Sequence, residues 1–174
     1  MKKIIYLLFF CACLLLHAIE LERPRIEVSK SKRELKLYDS EKLIKTYRIA
    51  LGSNPIPPKE REGDRATPEG TYFICNKNPQ SQFYLSLGIS YPGQKDAERG
   101  LLAGLISEKE KKATINACSS GKIPPWNTLL GGEVFIHGKG SSRDWTWGCI
   151  ALDDSDIEEL YKIIPVGTKI TINP

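Results

Sequence analysis

The sequence predicts a mainly β domain with accessory helices. Apolar residues recur at every second position in several short stretches, the mark of half-buried strands. Glycine and proline clusters punctuate those stretches. Only two segments carry apolar residues at clear helical spacing, 107–120 and 155–163.

Each element follows from local chemistry. Ile26 and Val28, Leu35 and Leu37, then Tyr47, Ile49 and Leu51 alternate with polar neighbours. They read as a meander of short antiparallel strands, turned in the polar runs 29–33 and 39–42. Residues 52–70, GSNPIPPKEREGDRATPEG, hold four prolines and three glycines among charges. No regular element survives there, and a loop this long is usually functional or mobile. TYFI (71–74) resumes as a strand, and FYLSLGIS (83–90) is another. YPGQKDAERG (91–100) reads as a turn that a short helix follows. Ser107 with Glu110 three residues on has capping-box spacing and opens a helix over 107–120. PPWNTLLGG (124–132) is a loop, and EVFIHG (133–138) is a short apolar strand ending at His137. Ile157, Leu160, Tyr161 and Ile164 lie on one helical face behind an acidic first turn. VGTKITI (166–172) closes the chain as a strand. There is no internal repeat.

The first residues predict export. Lys2 and Lys3 precede an almost wholly apolar run over residues 4–16. This is the layout of a signal peptide over 1–18, and the run is shorter than the roughly 20 residues that span a bilayer. An uncleaved anchor stays open, because Leu16 makes a poor cleavage context before Ala18. Lipidation at Cys13 is disfavoured, since Leu14 to Leu16 continue the apolar core. One domain remains, over 25–173, destined for the periplasm or cell envelope. The formal charge of +4 includes Lys2 and Lys3, which leaves too little positive charge to argue for nucleic acid. Lys30, Lys32, Arg33 and Lys36 read as a solvated strand and turn, with attraction to an acidic polymer as the alternative.

Removing the leader takes away Cys11, Cys13 and His17, leaving three cysteines and one histidine, His137. An odd thiol in an oxidising compartment is kept free or paired between chains. Cys75 and Cys118 could bridge, leaving Cys149 free, or both could be buried thiols. No close-pair spacing such as C-x-x-C supports zinc, and neither a metal nor an organic cofactor is expected. The stretch IHGKGSSRDWTWGCIAL (136–152) sets His137 twelve residues before Cys149. A thiol near its ordinary pKa of about 8.5 needs a base or a cation to become a nucleophile. Gly138 lets the chain turn after the histidine. Gly148 would let a carbonyl substrate approach the backbone, where the amides of 147–149 could form an oxyanion hole. Read from the residues alone, the thiol is either packing material or that nucleophile.

The motif IHGKG…TWGCIAL resembles the signature of the L,D-transpeptidase catalytic domain, also called the YkuD domain, with Thr146, Gly148, Cys149 and Ile150 matching its pattern. GDRATPEGTYFI (63–74) and PPWNTLLGGEVFIHG (124–138) resemble the family's approach to its central strand and to its histidine. The resemblance implies an L,D-transpeptidase-like β-sandwich of mixed strands with Cys149 in a groove. It implies a cysteine acyltransferase of peptidoglycan stem peptides, in which Cys149 is the nucleophile, His137 the base, and Gly138 orients the imidazole through its main-chain oxygen. An amine from another stem would then make a crosslink, an amine from a lipoprotein would tether it, and water would trim the stem. Hydrolytic release of lipoprotein from the wall and a non-catalytic wall-binding module are the rival readings. The chain departs from the family at Trp147, where many members have histidine, and at Ala151, where many have arginine or asparagine. Arg143 could replace the missing cation or be a solvated loop residue. Trp145 and Trp147 could wall the groove or pack in the core. Thr146 and Gly148 complete the expected substrate-binding set. Oligomeric state is not legible.

Overall fold

The computed structural model describes residues 21–174. The leader expected over 1–18, with Cys11, Cys13 and His17, lies outside the described residues. The alternating stretches near the start become β1 (Pro24–Ser29), β2 (Glu34–Asp39) and β3 (Lys42–Arg48), an antiparallel meander. There follow β4 (Gly70–Ser81), β5 (Tyr84–Ile89), α1 (Gln94–Leu102), α2 (Glu108–Ser119), β6 (Phe135–His137), β7 (Ile150–Ala151), α3 (Asp154–Ile163) and β8 (Lys169–Asn173).

The strands form one mixed sheet in the order β3-β2-β1-β8-β4-β5-β6-β7. The β1/β8 and β6/β7 pairs are parallel, and the other neighbours are antiparallel. The sheet curls until its ends approach. Ala50, just past β3, exchanges both backbone hydrogen bonds with Ala151 of β7, each 2.8 Å. Inward-facing residues of both halves meet in one core, including Ile26, Leu37, Ile74, Leu87, Ile136 and Ile150. Helix α3 buries Ile157 and Leu160 against β5 and β6. Helices α1 and α2 pack on each other, and α1 shares a small apolar cluster of Ala97, Ile106 and Leu130.

The structure alters the sequence reading in three places. Helix α1 begins at Gln94, inside the stretch read as a turn; Asp96 takes the Gly93 N–H and makes a helix start where no Ser or Thr marks one. Strand β4 runs seven residues beyond Ile74, through a polar stretch whose register shifts in its pairing with β5. Lys30 is not solvated: it is 2% exposed. Cys75, Cys118 and Cys149 are all free thiols, so no Cys75–Cys118 bridge is formed.

Two buried lysines hold the long loop 52–70. The ammonium of Lys30 donates to the carbonyls of Ile56, Pro57 and Thr67 and to Glu69 at 2.7 Å. Lys59, 4% exposed, donates to Asp64 at 2.9 Å and to the Arg61 carbonyl. Asp64 in turn accepts from the N–H groups of Glu60, Arg61 and Ala66, and these bonds hold its carboxyl below the usual range against the opposing effect of burial. Charges out of water persist only when paired and hydrogen-bonded in this way. The substitution Lys30→Met keeps the bulk but strands three carbonyls and the Glu69 carboxylate. Urea unfolding should show a loss of about 3 kcal/mol, with part of it restored in the double variant Lys30→Met/Glu69→Gln.

Candidate active site

The parallel pairing of β6 with β7 sets Ile136 opposite Ile150 and His137 opposite Ala151. Cys149 is then level with Phe135, and alternation along a strand puts residues 135, 137 and 149 on one face. The side chains of Cys149 and His137 accordingly line the same cleft of about 210 Å³, with Ser86, Phe83, Glu133 and Phe135 around them.

The imidazole is tightly specified. His137 Nδ1 lies 2.7 Å from the Gly138 carbonyl oxygen. A carbonyl can only accept, so Nδ1 carries the proton and Nε2 keeps its lone pair. Phe83 stacks on the ring at 4.6 Å between centroids, and Trp145 meets it edge-on at 5.5 Å. These walls leave His137 only 2% exposed, and burial pushes its pKa down despite the bond to Gly138. It is a neutral base at neutral pH.

The sulfur is half-buried at the cleft's surface and protein surrounds it below. It accepts from the Phe135 N–H at 3.4 Å and donates weakly to the Glu133 carbonyl at 3.6 Å. Burial pushes the thiol up to about 11, while the Phe135 amide and the Lys59 cation pull it back. Thiol and imidazole make no direct hydrogen bond. At rest the pair is neutral, a protonated thiol facing an unprotonated imidazole.

The turn before the sulfur is built by Thr146 and Gly148. Thr146 Oγ1 donates to the Cys149 carbonyl at 2.7 Å and accepts from the Gly148 N–H at 3.2 Å. Gly148 has φ +127°, and a β-carbon there would sit 2.7 Å from the Ala66 carbonyl, so only glycine fits. Loop 52–70 thus forms the back wall of the turn, and Lys59 Nζ lies 4.0 Å from that same β-carbon position. The Gly148 amide is committed to Thr146 and is not an oxyanion donor. The Cys149 N–H makes no hydrogen bond among the described residues.

The remaining expected residues divide. Trp145 packs on the imidazole, with its Nε1 donating to the Gly140 carbonyl. Trp147 is 74% exposed outside the thiol cleft, under the Arg65 guanidinium. Arg143 is exposed and lines the neighbouring hollows rather than the thiol cleft. Ala151 is consumed by the sheet closure with Ala50. Phe83, Phe135 and Lys59 were not anticipated. Phe83 and Phe135 look in sequence like any strand aromatic, and Lys59 like any loop lysine. Among the described residues no cluster of three metal-ligating side chains occurs.

The L,D-transpeptidase catalytic domain (YkuD) profile matches residues 23–172. The chain belongs to that family. It is 32% identical over 145 residues to YafK of Escherichia coli strain K12, named provisionally as an L,D-transpeptidase; the match covers 80% of this chain and 46% of YafK. The similarly named YkuD of Bacillus licheniformis is 28% identical over 155 residues, covering 86% of this chain and 66% of the relative. This chain therefore spans about half the length of its E. coli relative. Among solved structures, the helical cell shape determining protein Pgp2 (K307A mutant) of Campylobacter jejuni superposes with a TM-score of 0.56 at 22% identity, over 87% of this chain and 48% of that one. An L,D-transpeptidase from Xylanimonas cellulosilytica gives 0.52 at 12% identity, over 89% and 62%. These likenesses establish the L,D-transpeptidase fold, a curled mixed sheet with sandwich-like faces and three helices.

A neutral, desolvated thiol has a measurable signature. Iodoacetamide modification of Cys149, followed by peptide mapping, should still be rising at about pH 9 rather than levelling off, as a thiol of ordinary pKa would begin to do. A plateau near neutrality would mean a preformed thiolate–imidazolium pair instead.

Proposed function

We propose that this protein is an exported cysteine L,D-transpeptidase that acts on peptidoglycan stem peptides through an acyl-enzyme. The observation that carries the reading is the shared cleft of Cys149 and His137, with the imidazole tautomer set by Gly138. Family membership supplies the substrate class. Export rests on the composition of residues 1–18.

The neutral pair selects general-base activation. As sulfur bonds to the stem carbonyl carbon, its proton passes to His137 Nε2. The free Cys149 N–H is placed to donate to the oxygen as it gains negative charge. Collapse breaks the amide bond, and the imidazolium protonates the departing amine. A thioester remains on Cys149. The second nucleophile gives its proton to His137 as it attacks, and the thiolate leaves and recovers that proton. A stem amine yields a crosslink, a lipoprotein amine yields a tether, and water yields a trimmed stem. The chemistry at the sulfur is the same for all three, so the acceptor is chosen by what reaches the thioester.

Mass spectrometry of muropeptides after incubation with the full chain tests the reading and separates crosslinking, trimming and release. Cys149→Ala should lower turnover about a thousandfold or more, and His137→Gln by about a hundredfold to ten-thousandfold. The base works only when unprotonated and its pKa is lowered. Activity should therefore stay level through neutrality and fall on the acid side, with an apparent pKa below the ordinary histidine value of about 6.5. Full turnover by Cys149→Ala would end the proposal. Tight muropeptide binding with no turnover by the intact chain would leave a wall-binding module.

A further inference from the structure

The thiol cleft is not a closed pit. Its wall at Gln82 and Phe83 is also the wall of a shallow trough of about 650 Å³ that runs past Lys139 and Arg143. Arg143 is shared in turn with a second hollow of about 550 Å³, which reaches Arg48 and Lys32. The three depressions form one track, from the sulfur to the edge of the sheet at β2 and β3.

The charge along this track is one-sided. Lys32, Arg48, Lys139 and Arg143 are exposed, and none makes an ion pair among the described residues. The two carboxylates along it are already engaged, Asp144 by Arg33 at 2.7 Å and Glu34 by Lys36 at 3.4 Å. Cations gathered in a concave surface raise the local concentration of anions and orient their approach.

We propose that the track binds a peptide bearing several carboxylates, as one of the strands that react at Cys149. This rests on the reading above that the thiol cleft handles peptide strands, and it adds where such a strand lies and what charge it carries. The guanidinium forks of Arg48 and Arg143 match the geometry of carboxylates. The cations are spaced singly along the track, and Glu34 sits among them. That arrangement suits separate carboxylates and opposes a continuous phosphate backbone. Each exposed contact is weak, so recognition is collective and falls with salt.

The test compares bromoacetyl-hexaglutamate with bromoacetyl-hexaglutamine as labels of Cys149 in the full chain. Each label loses bromide as its methylene carbon bonds to sulfur, so only the peptide's charge differs. The acidic label should react roughly tenfold faster at low salt, and the preference should shrink toward unity near about 0.3 M NaCl. The double substitution Lys32→Gln/Arg48→Gln, at the far end of the track, should collapse the ratio. Anisotropy of fluorescein-hexaglutamate reads the same preference without using the thiol. Equal labelling and equal binding of the two peptides would overturn the proposal, as would a preference that survives the double substitution. Tighter binding of a fluorescein-labelled thymidine oligonucleotide would overturn the peptide assignment. Neither readout needs muropeptide turnover. An inactive chain that prefers hexaglutamate keeps the track, and an active chain with no preference loses it.

Discussion

The parallel contact between a three-residue strand and a two-residue strand governs the chemistry of this protein. The register of β6 on β7 places Cys149 diagonally from His137 on one face of the sheet. A slip of one residue would turn the sulfur to the opposite face, because side chains alternate along a strand. Strands this short cannot hold a register by themselves. Core burial of Ile136 and Ile150 does so, together with the antiparallel neighbours, β5 beside β6 and the Ala50 segment beside β7.

The residues between the two reactive groups are tied down in turn. Asp144 binds Arg33 and accepts the Leu51 N–H at 2.8 Å, while the Leu51 carbonyl accepts from the amides of Trp145 and Thr146. The β1–β2 turn, the exit from β3 and the turn before the thiol are therefore one hydrogen-bonded unit. Behind it stands loop 52–70, pressed against Gly148 through Ala66 and internally braced by the buried Lys59–Asp64 pair. A buried ion pair is weak evidence for net stability. Here its effect is positional: it fixes a segment rich in proline and glycine that has no ladder of its own, and it sets a positive charge behind the sulfur.

The fold was largely legible because the strands obey period two and the helices α2 and α3 carry their own caps and apolar faces. The polar half of β4 was not, since Asn76 to Ser81 owe their strand geometry to pairing with β5 rather than to any pattern of their own. Helix α1 was obscured because its start relies on Asp96 reaching back to the Gly93 amide. At the site, His137 and Cys149 stood out as the sole imidazole and the odd thiol of the mature chain. Their environment did not. The pairing of Phe83 with His137 spans distant segments, and no local spacing encodes it. Lys30 and Lys59 look like solvated lysines until the carbonyls around them are seen. Thr146 and Gly148 showed their type but not their task, which is to consume each other's hydrogen bonds within the turn and leave the Cys149 amide free.

The closure of the curled sheet also limits how a peptide can dock. Many peptide-binding domains accept their ligand as an added strand along an exposed edge. Beside the sulfur that edge is already occupied, since Ala50 takes both backbone hydrogen bonds that Ala151 offers outward. A bound chain gains no ladder from β7 and must be gripped by the side chains and loops that rim the cleft. Selectivity is thereby moved from main-chain pairing to rim composition, which can diverge between relatives without disturbing the framework beneath.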